Sequence, residues 1–246
     1  MKKILFAIAL AIVATACHTN EGGNVQVGKI VINAATRSEV SEANTSSKST
    51  LDMSLIPLES DLKVEISGNG TTQTWATYSE FEQAISEGLT FASAPHTITL
   101  SYGEKGTEGW SKPYFEGSTS VDVPKYGLTA EANIEVVLAN SIVAIETTEQ
   151  FDGYLSEAAF QINNIAWEAN KGEMLFVNAG EATIVCTAKR PTGNSVTINQ
   201  KVTLKPTHRH TLKFELSTAG NASVKVWFDD DIIATEEFEF ELNENA

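Results

Sequence analysis

Two cysteines are too few for a disulfide framework, so whatever folds in this chain of 246 residues must stand on packing. Cys186 sits in the alternating run 182–188 and reads as a small buried core residue; a reactive thiol would need a cationic or helix-N-terminal neighbour, and the flanking sequence offers none. Positive charge is also scarce. Seventeen Lys and Arg face 32 Asp and Glu, a formal net charge of −15, which repels phosphate backbones and argues against nucleic-acid binding. Beyond the first residues no apolar run approaches the ~20 residues that a membrane-spanning helix requires. The motifs of common chemistries are missing as well: there is no Gly-x-Ser-x-Gly elbow, no His-Glu-x-x-His and no dinucleotide fingerprint. The glycine-rich stretch 103–109 carries Lys105-Gly106-Thr107 rather than a Gly-Lys-Ser/Thr opening a helix, so it reads as a flexible loop. Of four histidines, His208 and His210 would share a strand face but lack a third ligand nearby. Asp229, Asp230 and Asp231 are consecutive, the pattern of a hairpin turn rather than a calcium loop. No catalytic residue, metal site or cofactor is therefore assigned, and the chain reads as a non-enzyme.

What is present begins with an address. Lys2 and Lys3 precede an apolar stretch over 4–13, and Ala14, Thr15 and Ala16 lead to Cys17. A run of that length is too short to span a bilayer and right for a secretory signal. Small residues followed at once by cysteine resemble the lipobox of bacterial lipoproteins. That implies a signal peptide over 1–16, cleavage before Cys17, lipid attachment at Cys17 and a polar tether over 17–24. The expected location is the outer membrane, lipid-anchored, at the cell surface, with the membrane as partner through the lipid.

After the tether the sequence is a series of short alternating segments punctuated by turn residues, which predicts an all-β fold. Strands are expected at 25–33, 51–58, 62–67, 71–77, 96–102 and 132–138, with Gly68-Asn69-Gly70 as a tight turn. Residues 37–49 are polar, with Val40 the only sizeable apolar side chain, and read as a mobile loop. Ser79 and Glu82 have capping-box spacing, Phe81, Ala84 and Ile85 share a helical face, and Gly88 stops the helix. So short a helix should lie across an end or opening of a sheet. The pattern restarts near Asn140 and runs to a strict alternation of Phe238, Phe240 and Leu242 with glutamates. The expectation is two consecutive antiparallel β-sandwich domains, 25–140 and 141–246, with at most two short helices. Among the aromatics, Trp75 and Trp110 are the candidates for stacking on a ligand, with Trp110 the more exposed because loop glycines precede it; the alternative is that both belong to the core.

Four stretches carry a resemblance: the lipobox leader, Gly28-Lys-Ile-Val-Ile32, Pro113-Tyr-Phe-Glu-Gly117 and Leu138-Ala-Asn-Ser-Ile-Val143. Together they resemble an uncharacterised surface lipoprotein family of Bacteroidota that is known as a domain of unknown function. In layout the chain is similar to fimbrillin and Mfa-like pilus proteins. The resemblance implies transthyretin-like sandwiches, processing by an arginine-specific protease at Arg37, and joining to other copies or pilus subunits by strand addition. The function implied is structural or adhesive, as a fimbria-like subunit or accessory protein. The second reading is a glycan-binding lipoprotein of a polysaccharide-uptake system, with a glycan or host surface as partner.

Overall fold

The computed structural model describes residues 26–168, 171–217 and 222–238. Strands dominate, as the alternation requires. The first half forms β1 (Val27–Thr36), β2 (Glu39–Glu42), β3 (Lys48–Thr50), β4 (Lys63–Gly68) and β5 (Thr71–Trp75). Helix α1 (Tyr78–Ser86) follows, then β6 (Phe91–Ala92), β7 (Pro95–Tyr102), β8 (Gly109–Trp110), β9 (Phe115–Asp122) and β10 (Thr129–Leu138). The second half opens with β11 (Ser141–Thr147), α2 (Glu149–Tyr154), β12 (Ser156–Ile162), β13 (Ile165–Ala166) and β14 (Leu175–Val177). It ends with β15 (Gly180–Lys189), β16 (Ser195–Leu204), β17 (His208–Ser217), β18 (Ala222–Phe228) and β19 (Asp231–Phe238).

One sheet runs β5-β4-β7-β9-β10-β1-β6. Its strands β9 and β10 pair only through Phe115–Leu138 and Glu116–Val137, and there the sheet turns a corner. Ile30, Ile134 and Val136 from beyond the corner meet Val64, Ile98 and Leu100 in one core. The corner explains Gly117: a Cβ at this position would stand 2.3 Å from the Glu135 carbonyl oxygen, so only bare backbone lets the strands close. The second half packs the sheet β19-β18-β17-β11-β14-β8 against β13-β12-β15-β16 around Phe151, Phe160, Phe214 and Ile184. Pairing is mixed rather than purely antiparallel. β1 runs parallel to β10 and β11 parallel to β17, each bringing together segments far apart in sequence.

Three expectations are corrected. Residues 37–49 are a hairpin, β2–β3, whose Ser41 and Glu42 pair in parallel with His208 and Arg209 of β17. They fill the part of β17 that β18, paired from Leu212 onward, does not reach. Val40, the one sizeable apolar residue in the segment, is 1% exposed and fastens the hairpin down. Residues 51–58 are not a strand but contain a 3-10 turn at Met53–Leu55, where the Asp52 side chain accepts from the Ser54 amide and competes successfully with sheet pairing. The helix cap lies two residues earlier than expected: Thr77 accepts from the Glu80 amide, and the Glu80 carboxylate accepts from the Ala76 amide. Gly88 ends the helix as expected, in a left-handed conformation with Leu89 N–H donating to the Ala84 carbonyl.

Residue 140 is the division we propose between the two sandwiches, and segments cross it in both directions. β2, β3 and β8 from the first half extend the second sheet, while Ile142 and Phe176 from the second half sit in the first core. Gly117→Ala should destabilise the protein by about 1–3 kcal/mol through overpacking at the corner. Gly153→Ala in α2, with nothing within 4 Å of the added carbon, should leave the thermal midpoint unchanged or raised. Thermal unfolding of both variants checks the pair.

Candidate functional site

Cys17, the signal peptide and the tether lie outside the described residues. The described chain begins, in effect, with β1, and this strand has an asymmetric setting. Lys29 N–H donates to the Leu128 carbonyl and Arg37 N–H to the Val136 carbonyl, so odd-numbered residues of β1 bond toward β10. Strand alternation then turns the N–H and C=O groups of Ile30, Ile32, Ala34 and Thr36 to the opposite edge. On that edge β6 pairs only with Val27 and Gly28. Further along, α1 takes the place of a strand: the Tyr78 hydroxyl donates to the Ile32 carbonyl at 2.6 Å, and burial with nearby Glu82 and Glu59 raises the Tyr78 pKa. The seam between β1 and α1 is incompletely filled. It holds a groove of about 430 Å³ lined by Ile30, Val31, Ile32, Tyr78, Phe81 and Ile85. Val31 on the outer face is 43% exposed. A helix lying on a strand edge is one of the ways sheets keep that edge from pairing elsewhere.

Arg37 closes β1 just before β2. Its guanidinium makes a two-pronged contact with Glu135, at 3.0 Å from Nε and 2.9 Å from Nη2, while the side chain stays 42% exposed. The two tryptophans are both half-buried, each against its own partners. Trp75 packs edge-on against Phe81 and Phe91 with ring centroids 5.2 and 6.5 Å away. Trp110 donates from Nε1 to the Ala166 carbonyl, lies 5.1 Å from the Trp167 ring and has the Lys171 ammonium 5.2 Å from its own. The glycine-rich loop before Trp110 is correspondingly tied down: Glu108 accepts from the Asn178 amide and the Asn163 side chain, and the Gly106 carbonyl accepts from Asn178. The structure thus brings Arg37 and Trp75 near the ends of the first sandwich and puts Trp110 at the seam with the second; it does not bring them into one site. One exposed aromatic that sequence reasoning missed is Tyr102, 38% exposed at the end of β7. Its signal was position: the buried face of the strand runs out where Gly103 begins.

The histidine pair is structural. His210, 1% exposed, donates from Nδ1 to Asp229 at 2.6 Å, because its Nε2 accepts the Lys205 amide at 2.9 Å. Both ring nitrogens are occupied. Among the described residues no group of three His, Cys, Asp or Glu is placed to hold a metal, and no helix is long and apolar enough to cross a membrane. Burial pushes the Cys186 thiol up to about 12, well outside the reactive range.

Residues 21–244 match DUF4493, a domain of unknown function. The chain belongs to that family. No curated protein matches the sequence. Solved structures similar to it include a candidate cell adhesion protein from Bacteroides eggerthii, at 10% identity and a TM-score of 0.40, covering 86% of this chain and 97% of that one. A fimbrial assembly protein from Parabacteroides distasonis is similar at 7% identity and a TM-score of 0.40, covering 86% and 98%. A candidate polysaccharide-binding protein from Bacteroides thetaiotaomicron is similar at 11% identity and 0.41, covering 70% and 89%.

In this DUF4493 chain the Pro113–Gly117 motif has a local electrostatic role besides the corner. Tyr114 is 8% exposed and its hydroxyl donates to Glu116, which also pairs with Lys105 at 2.9 Å. Burial, then the Glu116 bond, raises the Tyr114 pKa; the Tyr114 bond, then Lys105, lowers that of Glu116. A carboxyl depressed in the folded state stabilises fully above its ordinary value of 4.5 and loses that contribution as pH falls through the folded value. Glu116→Gln should therefore unfold at a lower temperature than the parent at pH 7, and the gap between the two should narrow as the pH is taken down through the carboxylate range. Melting curves across that range read the difference directly.

Proposed function

We propose that this chain is a non-enzymatic outer-membrane protein, made as a lipid-anchored precursor and displayed at the cell surface with a structural or adhesive role, and that a cut after Arg37 detaches β1 and the anchor and lets copies join by strand exchange in its place. The observation that carries the reading is the setting of β1. It is the first element of the described chain, has one full-length partner in the parallel mode, and is bordered elsewhere by two residues of β6 and by helix α1 across an open groove. Its removal would strip Ile30 and Ile32 from the core and leave β10 with a bare row of backbone donors and acceptors beside the apolar face of α1. An extended strand from another copy can refill that place, with backbone bonds supplying affinity and the vacated isoleucine positions supplying register. Arg37 stands where such a cut frees β1 and leaves β2 attached. A protease must first lift Arg37 from Glu135 and break the hydrogen bond its N–H donates to the Val136 carbonyl, so processing would be gated by fraying of the strand end. Glycan binding through Trp75 and Trp110 has less support, because both rings already pack against partners within the chain.

Mass spectrometry of protein taken from native outer membranes tests the proposal. A mature N-terminus at Ser38 in the assembled fraction is the expected result. Lipidated Cys17 as the N-terminus of every assembled copy would remove the strand-exchange reading and leave only the anchored form.

A further inference from the structure

We infer that the cleft beneath Tyr102 is a binding site for a neutral saccharide, a pyranose ring or a short stretch of two. This inference is independent of strand exchange, since it concerns a single copy. The cleft encloses about 500 Å³ between the end of β7, the Met53–Leu55 turn and the crossing segment 111–113. That is within the ~300–1,000 Å³ usual for small-molecule sites. Its walls divide by chemistry. Leu55, Tyr102 and Pro113 supply apolar surface, and Ser54, Glu104, Thr107, Ser111 and Lys112 supply hydroxyls, a carboxylate and an ammonium.

Three features distinguish this cleft from the others. First, Tyr102 is a partly exposed ring at a mouth, unlike Trp75 and Trp110, which have aromatic partners. Second, the Tyr102 hydroxyl, the Glu104 carboxylate and the Lys112 ammonium have no hydrogen-bond or ion-pair partner among the described residues. The neighbouring polar cleft of about 380 Å³ is different: there Tyr114, Glu116 and Lys105 satisfy one another. Third, the walls are held by backbone. Gly103 approaches so closely that a Cβ would stand 2.3 Å from the Pro113 carbonyl oxygen, and Ser111 N–H donates to the Met174 carbonyl of the second half. A pyranose presents an apolar C–H face and a rim of hydroxyls that both donate and accept. The aromatic wall suits the face; the carboxylate, ammonium and hydroxyls suit the rim. One carboxylate and one ammonium leave the cleft without net charge, which favours a neutral sugar over a phosphorylated or acidic one. A peptide strand is disfavoured because β7 is paired on both sides, with β4 and β9, and offers no free edge here.

Saturation-transfer NMR on the full chain with methyl β-D-glucopyranoside, methyl β-D-galactopyranoside and methyl α-D-mannopyranoside tests the site, with the tripeptide Gly-Ala-Gly as a comparison ligand. At least one glycoside should bind, and Tyr102→Ala should weaken it about tenfold while leaving the melting temperature unchanged. Glu104→Gln, on the exposed rim, should weaken it without altering the fold, and Tyr126→Ala, at an exposed ring elsewhere, should have no effect. Failure of all three glycosides to bind, equal binding by Tyr102→Ala and the parent, or binding of the tripeptide alone would overturn the inference.

Discussion

The buried side chain of Asn140 sits at the centre of the junction between the two sandwiches. It is 1% exposed; its Oδ1 accepts from the Tyr114 amide and its Nδ2 donates to the Lys112 carbonyl. Its own carbonyl accepts from the Thr207 amide, so one residue ties the strand leaving the first half to the lead-in of β9 and to the turn before β17. Ser141 Oγ donates to the Lys205 carbonyl and Thr207 Oγ1 to the Leu138 carbonyl, closing the same knot from both sides. The His210–Asp229 pair belongs to it too, because His210 holds the Lys205 amide and so fixes the turn that receives Asn140. An unsatisfied amide here would cost about 1–3 kcal/mol, and the side-chain oxygen and nitrogen of Asn140 each find a partner.

The knot has mechanical consequences. With Asn140 locked in place, the hairpin β2–β3 and the loop carrying Glu108 and Trp110 reach across from the first half and grip the second. Ile142 and Phe176 reach back the other way into the first core. Such an exchange resists rotation of one sandwich against the other. Against that frame β1 stands apart: parallel, bordered by strands along only one full edge, and covered by a helix over an incompletely filled groove. In the strand exchange we propose, that rigidity elsewhere would let β1 leave without loss of the fold.

Much of this was legible in the sequence where the signal was alternation. The strands at 96–102 and 132–138, the helix stop at Gly88 and the hairpin turn at Asp229 and Asp230, both with positive φ, follow from period and turn chemistry. What was illegible depends on a partner distant in the chain. Residues 37–49 have no strand pattern of their own; the hairpin forms because Val40 finds a core and Ser41 finds Thr207. Trp110 looked exposed because glycines precede it, but Trp167, Lys171 and the Ala166 carbonyl, all from the second half, occupy it. The motifs Pro113–Gly117 and Leu138–Val143 were recognisable as sequence and opaque as physics. Only the packed structure shows that one supplies the corner and the other the knot, and that Tyr114 touches Asn140.

The account rests on β1 being a separable strand in an otherwise interlocked molecule, and native-state amide hydrogen exchange on the full chain measures that most directly. The β1 amides that bond toward β10 should exchange about tenfold or more faster than those of β7, which lies between two partners, reporting a local opening well below global unfolding. Equal, slow exchange in β1 and β7 would mean that the strand leaves only when the whole fold does, and would contradict the account.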